Sequence, residues 1–346
     1  MMFTGRSFFL FAFLFFAIFG YHEKSTAAEA GSVNLYSSRH YDTDLALYND
    51  FTAKTGIKVN RLEAGADALI ERIRSEGEFS PADILITVDA GRLWRAEQAG
   101  LFSPIESETL VDRLPDHLRH PESLWFSFSK RARVIIFNKD TGDFSNLKTY
   151  ADLADPAYKG KICIRSSANI YNISLLASII ANEGEEAAEL WTKGVVDNFA
   201  RRPQGNDTSQ IRAVASGECE IALVNSYYLA RFAASDAASD KAIFDAIGVI
   251  FPDQDGRGAH VNISGAGLLK NAPNRENAVR FLEYLTEAAA QEYFANGNNE
   301  YPAALGVSAS SAVESLGSFK EDQLNVSALG ENQTKAVEIF DRARWP

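Results

Sequence analysis

The sequence predicts an α/β protein of two lobes with mixed, mostly parallel sheets. Short apolar runs alternate with longer helical patterns along most of the chain, which is how strands and covering helices of α/β folds read. The roughly 315 residues from Gly31 onward exceed the size at which a single core usually splits. One extended segment, Trp125 to Asn138, is long and rich in aromatic and β-branched residues, so it suits a strand that crosses between lobes.

The first thirty residues stand apart from that fold. Arg6 precedes an unbroken apolar run from Phe8 to Phe19, and Ala28-Glu29-Ala30 supplies a small-x-small site before Gly31. That order is expected of a cleaved secretory signal peptide (1–30), the apolar run being shorter than the roughly 20 residues of a bilayer span. No Arg-Arg pair precedes the run and no Cys follows it, against a twin-arginine signal or a lipid anchor. The mature chain is therefore expected to be exported, periplasmic and without membrane insertion. Its formal net charge of −12 comes without any dense basic block, which disfavours nucleic acid and anionic lipid as partners.

The first strand is expected at Val33–Tyr36, followed by the corner Ser37-Ser38-Arg39-His40-Tyr41. A helix capped by Asp42 or Thr43 then runs through Lys54 to Gly56. Strands follow at Ile57–Leu62 and Ala82–Val88, with a helix at Asp67–Arg74 between them and another at Arg92–Ala99. After the crossover come a strand at Lys161–Arg165 and helices at Ile170–Asn182 and Glu185–Asn198. A helix capped by Asp207 or Thr208 leads to Ser216, and the apolar strand Ile221–Val224 runs into Asn225-Ser226-Tyr227-Tyr228. Ile247–Pro252 and Ala259–Leu269 read as strands, Asn274 caps a helix through Ala290 or beyond, and Asn332–Arg344 closes the chain as helix. The two cysteines, Cys163 and Cys219, lie in or beside neighbouring strands, each eight residues before a tyrosine. Export permits a disulfide between them, and two buried thiols are the alternative.

Chemistry concentrates at the strand-to-helix corners, where open α/β sheets usually hold ligands. Four of the 12 tyrosines, Tyr41, Tyr171, Tyr227 and Tyr228, occupy three such corners, with His40 beside the first. A phenol ionises near pH 10, so such a cluster does little at neutral pH unless a hard cation favours phenolate. Fe3+ on four phenolates leaves one negative charge, which Arg231, Arg131 or Arg133 would offset. Taken singly, each tyrosine also suits ordinary packing with its hydroxyl in water. His117-x-x-His120 lacks the partners of a zinc site. Ser166 and Ser167 would either bind an anion at a helix N-terminus or cap that helix. No phosphate loop or hydrolase motif is present.

These residues resemble the periplasmic ferric-iron-binding proteins of ABC importers, within them the cyanobacterial FutA/IdiA-like group. The likeness runs through Val33-Asn34-Leu35-Tyr36-Ser37-Ser38-Arg39-His40-Tyr41, Pro81-Ala82-Asp83-Ile84, Tyr158-Lys159-Gly160-Lys161-Ile162, and the stretch from Gly217-Glu218 to Tyr228. Gly265-Ala266-Gly267-Leu268 and Asn299-Glu300-Tyr301-Pro302 extend it toward the C-terminus. It implies a two-lobed, type II-like periplasmic-binding-protein fold with crossover hinge strands. Residues 31–131 with 252–305 would form one lobe, and 132–251 with 306–346 the other. It implies Tyr41, Tyr171, Tyr227 and Tyr228 as iron ligands, with His40, water or an anion completing the set, and Arg231 and Arg131 as charge partners. Fe3+ is the implied cargo, with Fe2+ as the other oxidation state. The chain would be a monomer that delivers iron to an inner-membrane ABC permease, without enzymatic activity. A metal-free binder of polyamine, sugar or organic anion, and an exported iron enzyme, remain the alternatives.

Overall fold

The computed structural model describes residues 1–2, 31–39 and 41–346. Nearly all of the expected leader, and His40, lie outside the described residues. Among the described residues the nine strands are β1 (Ser32–Ser37), β2 (Lys58–Glu63), β3 (Ile84–Val88), β4 (Trp125–Asn138), β5 (Ile162–Cys163), β6 (Ile221–Asn225), β7 (Ile247–Ile250), β8 (Val261–Leu268) and β9 (Tyr301–Pro302). They form one sheet path, β2-β1-β3-β8-β4-β6-β5, with β7 and β9 also pairing with β4.

The crossover strand spans the expected residues. Its first half pairs with β8 and β9, and its second half with β6 and β7. A register irregularity between Ser127 and Ser129 interrupts its pairing with β8; such bulges bend a strand and increase its twist. The sheet is mixed. Parallel pairing is confined to its two ends, β1 with β2 and β3, and β5 with β6. The passes through the middle are antiparallel, because β4 and β8 each carry the chain once between the two halves in opposite directions. The expected parallel majority therefore holds only at the ends, where strands alternate with helices.

β8 needs small residues for its close approach to β4. A Cβ on Gly265 would lie 2.6 Å from the Phe126 carbonyl oxygen, and one on Gly267 would lie 2.5 Å from the Phe102 ring. That accounts for the Gly-Ala-Gly run in a fully buried strand.

Three buried clusters lie along this sheet. The first gathers Leu35, Phe51, Trp125, Phe126, Phe128 and Phe281, and also takes in Val326 and Leu329. The second holds Leu176, Trp191, Leu223 and Phe340, and the third Val134, Val214, Val224 and Leu229, on the other half of β4. One core thus serves the first half of the sheet and two serve the faces of its second half.

Local differences from the sequence reading have identifiable causes. Thr43 does not cap the helix Asp44–Thr55 with its side chain; its hydroxyl donates to Asn298 Oδ1 at 2.6 Å. The helix Asp207–Ala215 is capped by Asn206 in a capping box with Ser209, which frees Asp207 for a buried ion pair. The helix after Asn274 stops at Tyr284 and resumes at Ala288. Buried Gln291 requires that break, since its amide donates to the Leu285 and Phe128 carbonyls and accepts from the Ala303 and Ala304 N–H groups. The helix Ala238–Ala246 has no buried residue and hence no apolar stripe to announce it. β5 and β6 are neighbours as expected, and Cys163 and Cys219 form a disulfide with Cα atoms 5.8 Å apart.

Candidate metal centre

Three corners deliver the phenols. Tyr41 follows β1. Tyr171 is the second residue of the helix Ile170–Glu183, and Tyr227 and Tyr228 are the second and third of the helix Ser226–Ala234. Near a helix N-terminus, adjacent side chains are still able to converge on the space beyond the helix end. All four phenols line one cavity of about 300 Å3, together with Ser38, Arg39, Arg92 and Arg231. The Tyr171 and Tyr227 hydroxyls are 3.2 Å apart, and the Tyr227 and Tyr228 rings pack with centroids 4.3 Å apart.

Cations surround this cluster. The Arg231 guanidinium sits 5.7, 5.0 and 5.2 Å from the ring centroids of Tyr41, Tyr227 and Tyr228. Arg39 lies 4.8 Å from the Tyr41 ring, Arg165 5.4 Å from the Tyr171 ring, and Arg131 5.8 Å from the Tyr227 ring. Arg133, the other candidate on β4, is directed elsewhere and hydrogen-bonds Asp207, Asn225 and Asn172.

Behind the phenols lies a buried carboxylate absent from the sequence-level candidates. Glu300 accepts from Arg131 Nη2 and Ser129 Oγ, each at 2.6 Å, and from Arg39 Nη1 at 3.2 Å. Burial opposes its charge, but Arg131 and Arg39 outweigh that and hold its carboxyl at about 2. Arg39 also pairs with Asp44 at 3.0 Å, so Glu300 and Asp44 tie the first corner to the crossover strand.

Burial pushes three of the phenols toward their neutral form. Tyr41 is raised by burial and by the Glu300 charge, partly offset by Arg39, Arg131 and Arg231. Tyr171 is pushed up to about 12 by burial and by the neighbouring Tyr228. Tyr227 is raised well above its ordinary value by burial and by the three other phenols. Without a cation Tyr41, Tyr171 and Tyr227 are thus held as neutral phenols. A bound hard cation supplies the opposite charge that reverses this order, and the donor set is all oxygen.

Asp89 directly follows Val88, which lines the phenol cavity. It is fully buried, adopts a left-handed φ of 81°, and caps the helix Ala90–Gln98 through the Gly91 N–H at 2.9 Å. Its carboxylate also accepts from Ser174 Oγ at 2.8 Å and from Asn262 Nδ2 at 2.9 Å. Ser174 lies one turn beyond Tyr171, so this bond joins the first core's β3 corner to the tyrosine-bearing helix of the second.

Other sequence candidates have structural partners. His117 meets Glu321 at 3.1 Å, and His120 meets Glu97 at 3.2 Å. Ser166 and Ser167 do not line the phenol cavity; the Ser166 carbonyl accepts from Asn172 instead. Among the described residues, no group of three or more His, Cys, Asp or Glu side chains is arranged to hold a metal.

The model of the family described as bacterial extracellular solute-binding protein matches residues 46–321. This chain belongs to that family. Its members are solute-binding proteins rather than enzymes. The iron uptake protein A1 of Synechocystis is 52% identical over 320 residues, covering 92% of this chain and 89% of its own. The structure of the Trichodesmium protein IdiA (FutA), in complex with iron and citrate, superposes with a TM-score of 0.89 at 57% identity, covering 91% of this chain and 100% of that one. The major ferric iron-binding protein of Neisseria meningitidis is more distant, 25% identical over 90% of this chain and 92% of its own. This solute-binding protein shares their two-lobed, type II periplasmic-binding-protein fold.

Proposed function

We propose that this protein captures ferric iron between its lobes on Tyr41, Tyr171, Tyr227 and Tyr228, and delivers it to an inner-membrane ABC permease. The observation that carries this reading is the convergence of four phenols from three corners on one cavity ringed by guanidiniums. The names of the relatives, an iron uptake protein and a ferric iron-binding protein, point the same way. We take 31–131 with 252–305 as the first lobe and 132–251 with 306–346 as the second, with Val326 and the short helix Ser327–Glu331 packed on the first core through Val326 and Leu329.

On this division Tyr41 approaches from the first lobe and the other three phenols from the second. Ferric ion supplies the positive charge that ionises them, and the bridged, closed form is favoured by its higher affinity for the cargo. Arg231 and Arg131 balance the excess negative charge, Arg131 shared with Glu300. His40, water or an anion completes the coordination. The chain works as an exported monomer after removal of residues 1–30, in the periplasm.

Titration of the mature protein with Fe3+ and with Fe2+, followed by visible absorbance, tests the reading. It predicts a phenolate-to-iron colour that saturates at one ferric ion per chain. A colourless protein that instead takes up a polyamine, sugar or organic anion contradicts it.

A further inference from the structure

The three phenols of the second half share one anchor on the crossover strand. Arg133 is 1% exposed. Its Nη1 donates to Asp207 Oδ2 at 2.8 Å and to Asn225 Oδ1 at 3.1 Å, and its Nη2 donates to Asn172 Oδ1 at 2.9 Å. Asn172 follows Tyr171 directly, and Asn225 immediately precedes Ser226-Tyr227-Tyr228. One planar guanidinium therefore holds the starts of both tyrosine-bearing helices, in the fixed fork geometry that arginine provides.

The remaining bonds complete a closed circuit. Asp207 Oδ2 also accepts from the Asn225 N–H at 2.8 Å, and its Oδ1 accepts from Arg165 Nη1 at 3.3 Å. Asn172 Nδ2 donates to the Arg165 and Ser166 carbonyls at 2.9 and 3.2 Å, fixing the corner that leads to Tyr171. Ser226 Oγ accepts from the Ala132 N–H at 3.2 Å, beside Arg133 on β4. None of Arg133, Asp207, Asn172 or Asn225 lines the phenol cavity.

We infer that Arg133, held by Asp207 and acting through Asn172 and Asn225, is a positioning residue that sets the mutual placement of Tyr171, Tyr227 and Tyr228. The inference rests on the proposed phenol site and deepens it. A buried ion pair of this kind adds little net stability over apolar packing, so its value lies in geometry. Small misplacements of ligating groups cost affinity steeply, and supporting partners of metal ligands typically matter by about 10–100-fold.

Two alanine variants and one conservative variant test it. Asn172→Ala and Asn225→Ala each remove one tether to Arg133. Asn225→Asp keeps the acceptor facing Arg133, gives up an amide group that has no partner, and adds a charge that shares Arg133 with Asp207. The full-length mature chain is loaded with ferric nitrilotriacetate. The visible band position, the rate of iron loss to a chelator and the thermal midpoint of the iron-free protein are then measured. The expected result is a shifted band and about tenfold faster iron loss in both alanine variants, with the iron-free fold kept and Asn225→Asp closer to the unaltered protein. Two outcomes overturn the inference while leaving the phenol site standing. One is an unaltered band with iron loss within twofold of the unaltered protein; the other is unfolding of both iron-free alanine variants, which would make the network a stability element alone. Absence of any band in the unaltered protein would instead refute the phenol site itself, and this inference with it.

Discussion

Ser174→Ala should loosen the grip on iron without changing its colour. The Ser174 hydroxyl is fully buried and donates to Asp89 Oδ1 at 2.8 Å. That hydrogen bond joins the helix of Tyr171 to the corner after β3. A hydrogen bond to a buried charged group is worth about 1.5–3 kcal/mol, and each 1.4 kcal/mol is tenfold. If the bond exists only when the lobes are closed, its loss lowers the closing equilibrium by roughly 10- to 100-fold. Asp89 keeps its bonds from Gly91 and Asn262, so its helix cap survives and the iron-free thermal midpoint should barely move. Stopped-flow transfer of iron to a chelator should speed up by that factor, with the visible band unshifted. Iron loss within twofold of the unaltered protein would refute the assignment of this bond to closure. A shifted band would show that Tyr171 itself had moved, contrary to the reasoning.

Further predictions concern the ligands, acid stability and the disulfide. Tyr227→Phe and Tyr228→Phe should each weaken ferric binding by at least the roughly 10–100-fold that supporting partners of a metal command; native-like affinity in both, by competitive titration, would contradict the four-phenol set. His260 is buried and its proton affinity is pushed down to about 3 by burial, with Arg133 and Arg257 adding to the effect. The unfolded chain therefore protonates first, and stability should fall as pH drops from about 6.5 toward 3; His260→Gln should flatten the urea-midpoint profile over that range, and an unchanged slope would contradict the assignment. Glu300, depressed to about 2, contributes stability above its ordinary value of 4.5 that disappears as pH falls through 2, the lower part of the same profile. Replacing Cys163 and Cys219 together by alanine opens a loop with a sequence separation of 56. The chain-entropy estimate for such a loop is about 4 kcal/mol; a urea-derived loss below about 1 kcal/mol would contradict it.

Much of this architecture was legible in the chain. The crossover strand was readable because an unusually long β-branched and aromatic run needs burial on both faces. The tyrosine corners were readable because each follows an apolar strand and opens a helix. Arg39 and Glu300 were visible in the motifs but carried no local sign of their role, since their ion pair joins residues 261 apart in sequence. Asp89 carries no local sign of its role in the sequence; its left-handed backbone and its bond to Ser174 are properties of the assembled fold. Arg133 and Arg131 are two residues apart and so share one face of β4 by strand alternation, which cannot say which of them reaches the phenols and which turns to Asp207. The break at Leu285 was hidden for a similar reason, because it serves the distant carbonyl of Phe128.

The most direct test is a ferric titration of the mature protein and its four single Tyr→Phe variants at Tyr41, Tyr171, Tyr227 and Tyr228, followed at the visible band. The account predicts one ferric ion per unaltered chain and a weakened or lost band in every variant. An undiminished band in all four would mean that iron, if bound at all, is not held by these phenols.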